Sequence, residues 1–295
     1  MLINLPDNLP SVEILKGENI FPCAGSLSSA SRLRIALLNL MPLKTETEVD
    51  FLRLMAHSPV ATEVTFVRLR THRSKNTPQE HLDKFYRYFD EIRGEHFDGM
   101  IITGAPVELL DFRDVTYWEE LTAIFDWAGS EVASTIYICW AAQAALYHFY
   151  GVDKHPLPEK LSGVFLHTVN QSLPLFCGFD DEFYAPHSRH TGIDREDILR
   201  TDGLVLVSES AEAGVYAVIA RGGREIFITG HPEYSPLTLH NEYVRDLAKG
   251  LPAGIPVNYY RSGAAADRIC VRWRAHAEIL FSNWLNYYLF RASGR

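Results

Sequence analysis

The sequence predicts an α/β fold built on a doubly wound, mostly parallel sheet, and three observations support this. Through the first half, short apolar runs alternate with stretches whose apolar residues fall at helical spacing. The runs are apolar at nearly every position, as strands covered on both faces must be. After Gly151 the helical stretches thin out and further short runs follow one another across turns, so additional antiparallel strands are expected there.

Taken in order, residues 1–31 read as an N-terminal arm, interrupted by Pro6, Pro10 and Pro22 and closed by the small polar run Ser26–Ser31. Residues 32–295 read as a single α/β catalytic domain, because no linker, repeat or low-complexity tract divides them. Leu33–Leu40 predicts a buried strand ended by Met41-Pro42, and Thr45–Met55 a helix with acids in its first turn. Val64–Leu69 predicts a strand and Gln79–Arg93 a polar-faced helix. The alternation continues with strand Phe97–Ile102, helix Trp118–Ala128, strand Ser134–Ile138 and helix Trp140–Tyr150. Later strands are expected at Val164–Val169, Glu182–Ala185, Leu204–Val207, Val215–Ala220 and Ile226–Thr229. Leu237–Lys249 predicts a helix and Gly250–Asp267 a loop. Ala275–Phe290 predicts a final helix whose Leu280, Trp284, Leu285, Tyr288 and Leu289 would cover the core or meet another subunit.

With 295 residues, 47% of them hydrophobic, the chain can bury one substantial core. A formal net charge of -9 argues against nucleic acid as a partner, since phosphate backbones need a basic face. Cys23, Cys139, Cys177 and Cys270 form no CxxC pair, which fits neither a disulfide framework nor a zinc ribbon and points to a reducing, cytoplasmic setting. The N-terminus has acids and prolines where a signal peptide has a basic and then an apolar region, and no apolar stretch approaches membrane-spanning length.

Two segments carry most of the chemistry. In Thr135-Ile-Tyr-Ile-Cys-Trp-Ala-Ala-Gln-Ala-Ala145 a cysteine follows an apolar strand and opens an alanine-rich helix. That is the arrangement of a nucleophile elbow, where the helix N-terminus favours a thiolate and nearby backbone N–H groups can hold an oxyanion. A buried core thiol is the ordinary alternative for Cys139, and Cys23, Cys177 and Cys270, which lack this context, are read as structural. In Ile226-Phe-Ile-Thr-Gly-His-Pro-Glu-Tyr234 a buried strand delivers His231 at its carboxyl end. His231 can take a proton from Cys139, and Glu233 can hold the ring; a proline-stabilised surface turn is the alternative. His187 and His190 leave a His-x-x-His spacing with no supporting carboxylate or cysteine pair, so no metal is expected.

A strand–Cys–helix elbow with a later Gly-His-Pro-Glu resembles the class I glutamine amidotransferase superfamily, which implies a flavodoxin-like sheet and a Cys-His-Glu triad. Tyr137 and Ala141 stand where the usual Gly-x-Cys-x-Gly-x-Gln elbow has its glycines, while Gln143 remains. A closer resemblance rests on seven ordered blocks: Asn39–Glu48, Thr103–Pro106, Ile138–Gln143, Glu159–Gly163, Ala185–Arg189, Gly230–Tyr234 and Asn283–Tyr288. Together they are similar to the homoserine O-succinyl/acetyltransferase family of methionine biosynthesis. This resemblance implies ping-pong acyl transfer from acyl-CoA to L-homoserine, with no cofactor beyond the co-substrate, and a homodimer. It implies Cys139 as nucleophile, His231 as base and Glu233 as its orienter. Lys44 and the Trp140 backbone N–H would serve the oxyanion, and Lys160, Ser188 and Arg245 would bind homoserine. Glu108 occupies the position where the succinyl-transferring form has glycine. A glutamate there fills the room a longer acyl chain needs and repels its free carboxylate, which implies the acetyl-specific form. The readings set against it are a homoserine O-succinyltransferase, a glutamine amidotransferase-like cysteine hydrolase, and a non-catalytic relative binding through the same cleft.

Overall fold

The computed structural model describes residues 3–6, 8–20, 32–265 and 267–292. Among them, eleven strands form one sheet, whose first part is parallel: β1 (Ile3–Asn4), β3 (Thr62–Arg68), β2 (Leu33–Leu38), β5 (Gly99–Ile102), β6 (Ser134–Ile138) and β11 (Glu225–Ile228). It continues antiparallel through β10 (Gly214–Ala220), β9 (Leu204–Ser210), β7 (Lys154–Val169) and β8 (Glu182–Ile193). The expected mostly parallel α/β sheet with antiparallel additions is therefore what the chain adopts.

Strand periodicity explains how one sheet feeds two cores. On β2, Leu33, Ile35 and Leu37 enter one cluster, whereas Ala36 and Leu38 enter the other. The first cluster is closed by α1 (Pro10–Gly17), α2 (Lys44–Ala56), α9 (Arg274–Asn283) and the π-helical turn Trp284–Phe290. The second is closed by α5 (Trp118–Glu131), α6 (Trp140–Tyr150) and α7 (Arg195–Arg200). The remaining long helix, α8 (Thr238–Ala248), borders the cleft described below.

Three expectations need correction. The N-terminal arm carries secondary structure: β1 pairs with β3, and Leu9 and Leu15 are buried through α1. Cys23 and residues 21–31 lie outside the described residues. The helix expected over Gln79–Arg93 is broken into α3 (Gln79–Phe85), β4 (Tyr86–Tyr88) and α4 (Phe89–Ile92), because Tyr86-Arg-Tyr88 pairs with β3 at the open edge beside it. Finally, β7 and β8 run far beyond the expected segments, so β7 passes through Pro156 and Pro158. Proline cannot donate to a ladder, and the register between β7 and β8 shifts between Pro156 and Leu161.

The terminal helix covers the core: Leu280, Trp284, Leu285 and Leu289 are buried, and Tyr288 packs against them half-buried. Gly99 permits this, since a Cβ there would stand 2.6 Å from Leu289 Cδ1 and 2.9 Å from Trp284 Cζ2. Among the described residues, no helix is long and apolar enough to cross a membrane.

Candidate active site

The parallel strands β2, β5, β6 and β11 end together, and the loops leaving them converge. The chain winds outward in both directions from between β2 and β5, the kind of switch point beyond whose carboxyl ends α/β sheets bind ligands. A cleft of about 890 Å³ opens there, lined by Cys139, His231 and Tyr234, by Gly104–Leu110, and by Lys160, Ser188, Glu242, Arg245 and Asp246.

Cys139 sits between β6 and α6 with φ 52° and ψ -115°, a conformation that costs free energy for any residue with a Cβ. Its N–H donates to Ile228 O at 2.7 Å, fixing the turn to the next strand. Trp140 follows as the first residue of α6, where a backbone N–H has no acceptor within the helix. Ala141, Ala142, Ala144 and Ala145 are fully buried and let α6 lie close on the sheet. Gln143 locks the helix to β8: its amide donates to Thr191 O at 3.2 Å, and its oxygen accepts from Thr191 Oγ1 at 2.7 Å.

His231 leaves β11 through Thr229-Gly230, and its N–H donates to Pro186 O at 2.8 Å. Its Nδ1 lies 2.7 Å from Glu233 Oε1, and the ring stacks on Tyr234 with centroids 4.1 Å apart. Both His231 and Glu233 are buried. Burial opposes the imidazolium, but Cys139 and Glu233, each by charge and by hydrogen bond, together hold His231 well above the usual histidine range. Gly104 is the gap that allows the pairing. A Cβ there would sit 3.3 Å from Cys139 Cβ and 3.5 Å from His231 Cε1, against both side chains.

On the opposite wall, Lys160 Nζ lies 2.8 Å from Asp246 Oδ2 and 4.0 Å from Glu242 Oε2. Ser188 Oγ donates to Glu242 Oε2 at 2.5 Å, and Tyr234 OH donates to Glu242 Oε1 at 2.9 Å. Arg245 Nε donates to Asp246 Oδ1 at 2.9 Å. Glu108 accepts from His190 N–H at 3.1 Å, and its loop is tied down by Lys154, whose ammonium donates to the carbonyls of Glu108 and Leu110, each at 2.5 Å.

Of the residues singled out for a role, Glu108, Cys139, Lys160, Ser188, His231 and Arg245 line the cleft, while Glu233 reaches it through His231 and Trp140 is buried at the start of α6. Lys44 lines a different cavity. Its ammonium donates to the Asn39 carbonyl and faces a neighbouring cavity, near the Tyr86 ring. Lys44 opens α2, and its ammonium lies 5.7 Å from the centre of the Tyr86 ring of β4. Burial lowers its pKa to about 8, with Arg68 adding to the effect and Glu48 opposing it.

Several site residues escaped the sequence reading. Glu242 and Asp246 lie on α8 at i,i+4, a spacing that puts them on one helix face, but acids on a helix are ordinarily solvated surface. Arg189 is 3% exposed, and among the described residues it forms no ion pair. It donates to Thr191 O at 2.5 Å and to the Ala213 carbonyl, and approaches His187 Nδ1 at 3.4 Å. Burial lowers its pKa, while the charges of Cys139 and Glu108 oppose that effect, so a buried cation lies within electrostatic reach of both. The alternation of β8 explains the sorting: Ser188 and His190 face the cleft, while His187 and Arg189 point inward. His187 Nε2 lies 2.9 Å from His167 Nε2, and burial drives both rings toward the neutral form. Among the described residues, no group of three or more His, Cys, Asp or Glu side chains is placed to share a metal ion. Cys177 is exposed and Cys270 half-buried, and neither lines the cleft.

Comparison with known proteins identifies the family and the fold. The chain is 59% identical over 295 residues to a homoserine O-acetyltransferase of Phocaeicola vulgatus, covering 99% of this chain and 97% of the relative. It is 57% identical to one of Bacteroides thetaiotaomicron and 55% to one of Brevibacillus brevis, each over 99% of this chain and at least 96% of the relative. Among solved structures, a glutamine amidotransferase of Thermotoga maritima superposes with a TM-score of 0.55 at 10% identity, covering 88% of this chain and 98% of that one. One from Methylobacillus flagellatus gives 0.53 at 14% identity, covering 87% and 94%. At such low identity these structures show the shared fold of class I glutamine amidotransferases. The sequence model of the family described as "Homoserine O-succinyltransferase" matches residues 2–295. The chain belongs to the homoserine O-succinyltransferase family.

Proposed function

We propose that this chain is a homoserine O-acetyltransferase that works through a thioester on Cys139. The observation that carries the reading is the buried Cys139–His231–Glu233 array, opening on a cleft whose acyl end is bounded by Glu108. The high identity to relatives named as acetyltransferases supports it.

In the first half-reaction the Cys139 sulfur, as thiolate, attacks the thioester carbonyl of acetyl-CoA. The carbonyl π-bond opens to an oxyanion that the Trp140 N–H can hold, helped by the α6 N-terminus. Collapse breaks the carbon–sulfur bond to CoA, and the leaving thiolate takes the proton from His231. In the second half-reaction His231, now neutral, removes the homoserine hydroxyl proton as that oxygen attacks the acetyl-enzyme. Cys139 leaves as thiolate, and the proton remains on the imidazolium. Homoserine is a zwitterion, and the wall holding Lys160, Arg245, Glu242 and Asp246 offers both charges. Its carboxylate would pair with Arg245 and Lys160, with Ser188 beside them, and its ammonium with Glu242 and Asp246.

Donor choice rests on Glu108. Its loop is anchored by Lys154 and its carboxylate is held at His190 N–H, so it is a fixed negative wall. Succinyl-CoA would bring a second carboxylate toward it. The reading also includes a reducing, cytoplasmic setting, which a cleft thiol needs to stay active, and a homodimer, as the family resemblance implies.

The test is a donor competition. CoA release with L-homoserine should be at least tenfold faster from acetyl-CoA than from succinyl-CoA, and Glu108→Gly should narrow that gap. Equal succinyl turnover by the unaltered protein would overturn the Glu108 argument. Radiolabelled acetyl-CoA should label the protein covalently, and Cys139→Ala should abolish the label. Label that persists would remove Cys139 as nucleophile.

A further inference from the structure

Beside the cleft, at the ends of β2 and β3, lies a second cavity of about 340 Å³. The two share a wall. Met41, Pro42 and Leu43 face the cleft, whereas Asn39, Leu40 and Lys44 face the cavity. The loop after β3 reaches both, with Ser74 on the cavity and Asn76 on the cleft.

The cavity is cationic in a chain whose formal net charge is -9. Lys44, Arg68, Arg70, His72 and Arg73 line it, and among the described residues no carboxylate does. Two of these cations are committed from behind. Arg68 pairs with Asp83 at 2.7 Å and Arg70 with Asp90 at 2.8 Å, and their guanidiniums lie 4.1 Å and 4.0 Å from the centre of the Tyr88 ring. Donors remain available all the same. Arg73 and the adjacent Lys75 are exposed and, among the described residues, have no ion-pair partner. Arg68 Nε is buried without an acceptor. Lys44 is 3% exposed, and the Asn39 carbonyl takes only one of its three protons. The field is positive enough that Lys44 and Lys75 add to the effect of burial in lowering the His72 pKa. Buried donors without acceptors are costly, and they point to an anion with several oxygens.

We infer that this cavity binds the phosphate groups at the nucleotide end of the acyl donor. The inference rests on the acyl-CoA reading above. With the thioester at Cys139, a flexible pantetheine arm would cross the rim between Leu43 and Asn76 and bring the phosphates to Lys44, Arg68 and Arg73. No glycine-rich phosphate loop is needed, because side-chain cations replace backbone N–H groups. The cationic cavity also supplies what a net-negative protein otherwise lacks, a local attraction for a polyanionic substrate.

The test uses two donors that differ only in the nucleotide, acetyl-CoA and S-acetylpantetheine, with the full-length protein. Arg73→Glu combined with Lys75→Glu changes exposed side chains, and an unchanged thermal midpoint confirms folding. The ratio of kcat/KM for acetyl-CoA to that for S-acetylpantetheine should fall at least tenfold, and the salt dependence of the acetyl-CoA rate should weaken. An unchanged ratio overturns the inference and leaves the acetyltransferase reading standing. If the unaltered protein uses neither thioester, that reading fails, and the cavity is then judged by calorimetric titration with adenosine 3′,5′-diphosphate. Binding that the double variant loses supports a nucleotide-phosphate site, and no binding overturns it. Equal displacement by inorganic phosphate, with acetyl-CoA kinetics unaffected, identifies a free-anion site and also overturns it.

Discussion

At the scale of single residues, the site depends on a strained backbone and a missing side chain. The positive φ of Cys139 turns the sulfur out of the β6–α6 corner, and the bare Gly104 leaves room for it to meet His231. The histidine's charge follows from that meeting. His231 is held well above its ordinary value of about 6.5 against the opposing effect of burial, with Cys139 and Glu233 as the supporting anions. A raised folded-state pKa gives stability that is fully present below the unfolded value and lost as pH rises through the folded one. Acylation or alkylation of Cys139 removes one anion, so the histidine becomes a weaker acceptor of charge at the stage when it must act as a neutral base. Modification of Cys139 with iodoacetamide should therefore move the His231 titration to lower pH, read by ring-proton NMR, and shift the loss of stability the same way. A titration that does not move would show that the sulfur carries no charge next to the ring.

At the scale of elements, burial decides where local pattern misleads. The stretch Gln79–Arg93 has helical composition, yet Tyr86 is drawn out of the helix into an edge strand. Its ring is buried, and its hydroxyl donates to Glu48 Oε1 at 2.7 Å and accepts from Asn39 Nδ2 at 2.9 Å. Those partners are roughly forty residues away, outside any helical window. The terminal helix shows the reverse case, in which pattern and structure agree. Trp284 is fully buried, its indole N–H donates to Ser134 Oγ at 3.0 Å, and that hydroxyl donates to Gly223 O at 2.6 Å. Trp284→Ala should lower stability by about 3–5 kcal/mol, as loss of a buried tryptophan typically does, measured by urea unfolding. A cost below about 1 kcal/mol would mean that the helix is not part of the core.

At the scale of the whole molecule, the cleft lies where two kinds of sheet meet. The parallel half supplies Gly104, Cys139 and His231 at its strand ends. The antiparallel half supplies Lys160 from β7 and Ser188 from β8, and α8 adds Glu242, Arg245 and Asp246. The terminal helix is spent on the core, so a homodimer would use other surfaces. The exposed Val244 and Leu247 of α8, followed by Leu251, are apolar positions not used by the core. Sedimentation velocity at micromolar concentration should give about twice the 33.5 kDa chain mass, and a monomer would remove the dimer from the proposal.

The sequence alone determined the alternation of strands and helices, the cysteine elbow, the Gly-His-Pro-Glu turn and the family, because each is written in contiguous residues with a local physical meaning. The tertiary structure decided which side chains face one another. It put Lys44 on the cavity beside the cleft and buried Arg189 within electrostatic reach of Cys139. It also set Glu242 and Asp246 opposite the catalytic pair and gathered the cationic cavity behind the cleft wall. None of these can be read along the chain, since side-chain direction is set by packing between segments far apart in sequence, and a charged residue reads the same whether it ends in solvent or in a site.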